Sequence, residues 1–275
     1  MEIFQALILG LVQGASEFLP ISSSGHLILV PYLFNWHGVV DSLAFDVALH
    51  LGTAVAVVAF FWKDWIALFG AFFKTLPKGT TAVWNDTRAR LLSLIIIGSI
   101  PAAIIGFFFD KYVESYLREP LLVAVLLIIF SFVLFWADRR DKGDRAEKDL
   151  NLVDSILVGL AQCLALFPGV SRSGVTITTG LFRGLDRVTA TRFSFLLSTP
   201  VIVGAGAIKL KEILHGSLAG GSGGVFLVGM VSAAISGFIA IKFLLRYVAK
   251  NNFNIFVIYR IVVGVSIILL VLFRG

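Results

Sequence analysis

Glu17 sits in an otherwise apolar stretch, four residues after Gln13 and six before Ser23. A spacing of four puts Gln13 and Glu17 on one helix face, a turn apart. A carboxylate inside a membrane segment is costly and is usually kept for function. The residues after Glu17 read Phe-Leu-Pro-Ile-Ser-Ser-Ser-Gly-His, ending at His26. Pro20 ends one helix, a serine can cap the next, and Gly25 permits a tight turn. Such a turn aims free N–H groups and the hydroxyls of Ser22, Ser23 and Ser24 at one point, a setting that suits a phosphate. His26 follows directly, close enough to the hydroxyls and the carboxylate to act as base, acid or phosphate acceptor.

A second cluster has the same grammar: Ser171-Arg-Ser-Gly174, then Thr176. An arginine in an apolar segment needs an anion. Arg172 has two candidates, Glu17 in a structural ion pair or a ligand phosphate gripped by its planar fork. The surrounding Ser171, Ser173, Gly174 and Thr176 add donors that a carboxylate pair does not need, so the phosphate is preferred. His50 and Asp46 make weaker cases as interior polar residues. Arg260, seven residues into the last apolar run, is expected to pair internally, and His37 and His215 read as loop residues.

These clusters have to be held by something. Of the 275 residues, 58% are hydrophobic and only 15% charged, far from the balance of a soluble domain. Six apolar runs are long enough to cross a bilayer, at about 45–62, 91–109, 120–137, 193–208, 225–241 and 253–273. Two more apolar regions, Ile3–Tyr32 and Leu152–Leu181, are interrupted by the polar clusters. Open backbone cannot face lipid, so each is predicted to be a helix–loop–helix hairpin, re-entrant and buried by the other segments. The predicted fold class is therefore an all-α polytopic membrane protein of about six transmembrane helices and two re-entrant hairpins.

The halves resemble each other. Gly10–Gly25 and Gly159–Gly174 share seven of sixteen residues, and the ten residues from Gly98 share six with the ten from Gly229. Each half then holds a hairpin and three crossings, so the second half must be inverted relative to the first. This divides one membrane domain, 1–275, into repeat one (1–137), a charged and solvated linker (138–150) and repeat two (151–275). The loops 63–90, 138–150, 181–192 and 242–252 hold sixteen Lys and Arg; the first 44 residues, 110–119, 209–223 and the C-terminus hold five. The positive-inside rule assigns the rich side to the cytoplasm and both termini, with the mouth of the first hairpin, to the outside. The net charge of +6 is loop charge of this kind, not a nucleic-acid surface. The N-terminal segment lacks the basic region of a secretory signal and is expected in the mature protein. A single cysteine, Cys163, excludes an internal disulfide.

No Walker A loop, dinucleotide fingerprint or His-Glu-x-x-His motif is present. Phosphoryl chemistry by another constellation remains: Ser23 or His26 as nucleophile, Glu17 as acid/base, Arg172 as cation, and a divalent ion. At these residues the chain resembles the undecaprenyl-diphosphatase, or bacitracin-resistance, family. The carrying segments are Gly14-Ala-Ser-Glu-Phe-Leu-Pro-Ile-Ser-Ser-Ser-Gly-His26, Phe167-Pro-Gly-Val-Ser-Arg-Ser-Gly174 and Arg192-Phe-Ser-Phe-Leu-Leu-Ser-Thr-Pro200.

The resemblance implies hydrolysis of undecaprenyl diphosphate to the monophosphate and phosphate on the outer face of the cytoplasmic membrane, recycling the lipid carrier for cell-wall glycans. It implies catalytic roles for Glu17, Ser23, His26 and Arg172. Substrate contacts then fall to Gln13, Ser22, Ser24, Gly25, Ser171, Ser173, Gly174 and Thr176. It also implies a metal site at Glu17 and Gln13 for Mg²⁺ or Ca²⁺. Many members carry Glu-x-x-x-Glu where this chain has Gln13 and Glu17, so a two-carboxylate site is not expected here. The partners are a polyprenyl diphosphate and membrane lipid, with a homodimer as an open state and no nucleic acid. A transporter or flippase of a lipid phosphate is the rival reading, since inverted repeats with broken helices also build transporters.

Overall fold

The computed structural model describes residues 1–117, 119–140, 143–219 and 223–274; the side chains of 110–116, 209–219 and 274 lie outside the description. The described residues form twelve α-helices: α1 (Glu2–Phe18), α2 (Ser23–Phe34), α3 (Leu43–Phe60), α4 (Trp62–Thr75), α5 (Thr80–Asn85), α6 (Thr87–Tyr116), α7 (Pro120–Arg139), α8 (Leu152–Gln162), α9 (Arg172–Phe182), α10 (Arg187–Ala219), α11 (Gly223–Val248) and α12 (Asn254–Arg274). Six stretches among them are long and apolar enough to cross a membrane: Leu43–Phe60, Thr87–Phe109, Pro120–Arg139, Arg187–Ile208, Gly223–Val248 and Asn254–Phe273. They match the six predicted runs, and the protein is a multi-pass, all-helical membrane protein. The pairs α1–α2 and α8–α9 are the two broken elements.

The breaks have local causes. α1 stops because Leu19 is extended and Pro20 follows it. Ser22 then takes a φ of 74° and caps α2, its hydroxyl accepting from Gly25 N. Ser171 does the same for α9, with the same φ of 74° and its hydroxyl accepting from Gly174 N. A non-glycine residue in this region stores strain, which surrounding structure must hold in place.

Close helix approach seats the first helix of each broken pair, α1 against α11 and α8 against α6. A Cβ on Gly10 would lie 2.4 Å from Gly229 O, and one on Gly159 would lie 2.2 Å from Gly98 O. Backbones meet there with no room for a methyl group. The main core cluster runs from Phe18 and Phe61 through Leu92 and Ile95 to Phe195 and Phe253.

Four connecting regions differ from expectation. The 63–90 loop contains α4 and α5. α4 is too short to span, and its Trp65 and Phe72 pack on the core while Trp62, Ile66 and Phe73 are exposed. The 110–119 and 209–223 loops are mostly helix, because α6 runs to Tyr116 and α10 to Ala219; Arg118 and 220–222 lie outside the described residues. His215 is therefore within α10, its side chain not described. The charged linker is docked. Arg145 reaches Asp154 and Arg183 O, Glu147 pairs with Arg192, and Lys148 O accepts from Arg90. The hydrogen-bonded Asp154 carboxylate raises the Arg145 guanidinium above its ordinary pKa. Asp141 and Lys142 of this run lie outside the described residues.

Candidate active site

Glu17 is the hub. Its Oε2 accepts from Gln13 Nε2 at 2.9 Å, as a spacing of four on α1 allows, and from the Ser23 hydroxyl in a short contact. Its Oε1 accepts from Arg172 Nη2 at 2.9 Å. Two broken helices 155 residues apart in sequence thus meet on one carboxylate. Glu17 is 6% exposed, so these partners replace water and hold the charged form in a buried place.

The ion pair does not exhaust Arg172. Its Nε and Nη1 are buried without a hydrogen-bond partner. A buried guanidinium seldom leaves its N–H groups unmet. Here the unmet edge belongs to a residue that adjoins a serine loop. The Arg172–Glu17 pair, the less favoured option from sequence, is present, and it leaves two nitrogens for an anion.

The serine loops are bound to each other. Ser22 Oγ accepts from Gly169 N at 3.0 Å, and Ser173 Oγ donates to Leu19 O at 3.0 Å. Arg260, fully buried, donates to Pro20 O from one side and to Gly169 O and Val170 O from the other, with Leu127 O on α7 as its fourth acceptor. Arg260 does pair internally, but with carbonyls and not with a carboxylate. This strap was not legible as such: the sequence shows a lone arginine, not its four acceptors.

Other expected residues make their hydrogen bonds elsewhere than to the carboxylate. His26 donates from Nδ1 to Ser22 O at 2.7 Å, since a carbonyl can only accept. Its Nε2 therefore accepts from Tyr259 OH at 2.7 Å. His26 faces α12 and makes no hydrogen bond to Glu17 or Ser23. Thr176 is committed to Arg172 O and to Ser194 Oγ at 2.6 Å. Ser171 and Ser173 contact each other at 3.3 Å, and Ser24 lies 3.5 Å from Ser22 Oγ. Gly25 and Gly174 serve as the N–H donors of the two caps. Their hydroxyl acceptors and tight contacts explain why side chains are missing there.

Two residues were undervalued by sequence reasoning. Tyr259 gave no signal, because a tyrosine in an apolar span is ordinary. His50 was rated weakly, yet its Nε2 lies 3.6 Å from Glu17 Oε2.

The donor set for a divalent ion is thin but present. Among the described residues no group of three or more His, Cys, Asp and Glu side chains assembles. Glu17 supplies the carboxylate, and Gln13 Oε1 is buried with no partner. An amide carbonyl beside a carboxylate is a hard-oxygen pair of the kind Mg²⁺ and Ca²⁺ accept.

Comparison with known proteins gives the family. A family described as bacitracin resistance protein BacA matches residues 6–266. Proteins named undecaprenyl-diphosphatase are similar along their whole length. The one from Pelotomaculum thermopropionicum is 46% identical over 270 residues, covering 98% of this chain and 97% of that protein. That from Thermodesulfovibrio yellowstonii is 46% identical over 275 residues, covering 100% and 99%. That from Moorella thermoacetica is 48% identical over 270 residues, covering 98% and 97%. With the family match spanning both broken helix pairs, the serine loops and the helices around them, the chain belongs to the bacitracin resistance protein BacA family.

Proposed function

We propose that the protein hydrolyses undecaprenyl diphosphate to undecaprenyl phosphate and inorganic phosphate, so that the lipid carrier can be used again for cell-wall glycans. The observation that carries this reading is the unpartnered Nε and Nη1 of Arg172 beside a serine already bonded to Glu17. A prenyl tail needs hydrocarbon around it and a diphosphate needs donors, and a broken-helix site inside a membrane protein offers both.

Glu17 takes the Ser23 proton as the serine oxygen attacks the terminal phosphorus. The bond from phosphorus to the bridging oxygen breaks, and undecaprenyl phosphate leaves. The departing phosphate carries off the proton that Glu17 took. Water then attacks phosphorus and gives a proton to the free Glu17 carboxylate. The bond from phosphorus to Ser23 Oγ breaks, and Ser23 regains its proton as inorganic phosphate is released. The free edge of Arg172 grips the equatorial oxygens, where charge spreads in a phosphoryl transfer. The N–H groups at the start of α2 and α9 add partial positive charge. His26, held between Ser22 O and Tyr259 OH, ties the serine loop to α12. Glu17 and Gln13 would hold a Mg²⁺ or Ca²⁺ ion, which when bound neutralises charge on the diphosphate.

Loop charge supports a site that opens outward across the cytoplasmic membrane. The internal likeness of the halves supports re-entrant hairpins in an inverted repeat: the exchange of Gly10–Gly229 for Gly159–Gly98 contacts pairs the same four positions that the sequence repeat relates.

Phosphate release from undecaprenyl diphosphate by the purified protein in detergent tests the function. Wild type should release phosphate, and Glu17→Gln should not, while still giving a cooperative melt that shows it is folded. A protein that only moves the lipid releases none, and that result would return the transporter reading.

A further inference from the structure

His50 lies on α3, outside the residues so far given a role. Its Nδ1 is 2.8 Å from Asp46 O. That carbonyl can only accept, so Nδ1 carries the hydrogen and Nε2 of the neutral ring holds a lone pair. The lone pair faces Glu17 Oε2 at 3.6 Å, so two acceptors confront each other. The amide that also reaches this oxygen leaves Gln13 Oε1 buried and unpartnered. Protonating the ring would relieve the imidazole but would leave the Gln13 carbonyl unmet. A cation between Glu17 Oε2 and His50 Nε2 would serve both acceptors, and the Gln13 carbonyl, one helical turn from Glu17, is free to join them.

The arrangement has the form of a ligating histidine. Such residues commonly donate the other ring N–H to a carbonyl, which fixes the tautomer and aims the lone pair. Donors that share one ion at about 2.1 Å sit roughly 3–3.5 Å apart, within a few tenths of the separation seen here. His26 makes the control. It has the same Nδ1 commitment, to Ser22 O, but its Nε2 is taken by Tyr259 OH. Arg172 occupies the other carboxylate oxygen, Oε1, so an ion at Oε2 leaves the clamp in place and shares that oxygen with the Gln13 amide and the Ser23 hydroxyl. His50 is also about one-third exposed, which leaves a route for an ion.

We propose that Glu17, His50 and Gln13 form a divalent-cation site of mixed oxygen and nitrogen donors, with His50 Nε2 as the nitrogen ligand. The role of that ion rests on the phosphatase reading; its coordination does not. A nitrogen donor favours first-row transition ions over Ca²⁺, and Mn²⁺ accepts carboxylate and imidazole together.

The experiment is electron paramagnetic resonance of Mn²⁺ added alone to the purified protein in detergent. Wild type should bind one Mn²⁺ whose pulsed spectrum carries ¹⁴N coupling, and Ca²⁺ should displace it poorly. His50→Ala should lose the coupling and weaken binding tenfold or more. His50→Gln, which offers an oxygen in a side chain of similar reach, should keep bound Mn²⁺ without ¹⁴N coupling. Melting curves show that both variants are folded. Wild type that binds no Mn²⁺, wild-type Mn²⁺ without ¹⁴N coupling, or coupling that survives in both variants would overturn the site. Lost coupling in a protein that still releases phosphate would leave the phosphatase reading intact; coupling in a protein that releases none would do the reverse.

Discussion

Ser23 and Ser24 are neighbours with the same side chain, and their surroundings separate them. Ser23 donates to Glu17 Oε2, while the Ser24 hydroxyl lies 3.5 Å from Ser22 Oγ. If Ser23 is the nucleophile, Ser23→Ala should lower turnover about a thousandfold or more, as removing such a group does. Ser24→Ala should cost at most about fivefold, the worth of one ordinary hydrogen bond. Steady-state phosphate release separates the two; equal, mild losses would move the attack to water. At this scale the sequence was informative wherever an ionisable group stood in an apolar run. Glu17 and Arg172 stood out for that reason, and they do meet. Tyr259 did not stand out, because its partner His26 is 233 residues away and nothing local marks the pair. The strength of His50 was hidden for the same reason: its contact with Glu17 is tertiary.

The elements that carry these residues depend on glycine. Gly159 is buried against the Gly98 carbonyl, where an added Cβ would lie 2.2 Å from oxygen. Gly159→Ala should force α8 away from α6 and destabilise the protein by about 1–3 kcal/mol, the usual cost of overpacking. A thermal melt in detergent checks this, with Gly70→Ala as the comparison, since nothing lies within 4 Å of a Cβ there. Six spanning helices and two breaks could be read from hydropathy and from Pro20, Ser22 and Ser171. The helix in the 63–90 region could not. α4 mixes Trp, Phe and Lys, and its helical form depends on packing Trp65 and Phe72 against other elements. The linker misled for a related reason. A run of charges reads as solvated, yet Arg145 and Glu147 find buried or half-buried partners that only the folded chain supplies.

Loop charge proposes an orientation for the whole molecule. Arg187–Asp138, Arg192–Asp64, Arg192–Glu147 and the Arg145–Asp154–Arg183 cluster all draw on the segments that loop charge assigns to the cytoplasm. Cysteine labelling tests this orientation in a Cys163→Ser background. An impermeant reagent added to intact cells should modify His37→Cys and spare Asp144→Cys, both at exposed positions; the opposite pattern would invert the topology.

The central claim is that one half supplies the carboxylate and serine while the other supplies the cation that grips phosphate. Arginine offers a planar fork, and lysine offers one compact charge. Arg172→Lys keeps the charge beside Glu17 and removes the free edge formed by Nε and Nη1. The most direct measurement is phosphate release by this variant across a range of undecaprenyl diphosphate concentrations. The clamp predicts that kcat falls on the order of a hundredfold or more with KM little changed, as for a contact that strengthens in the transition state. Turnover close to wild type would make Arg172 a structural partner of Glu17 and contradict the account.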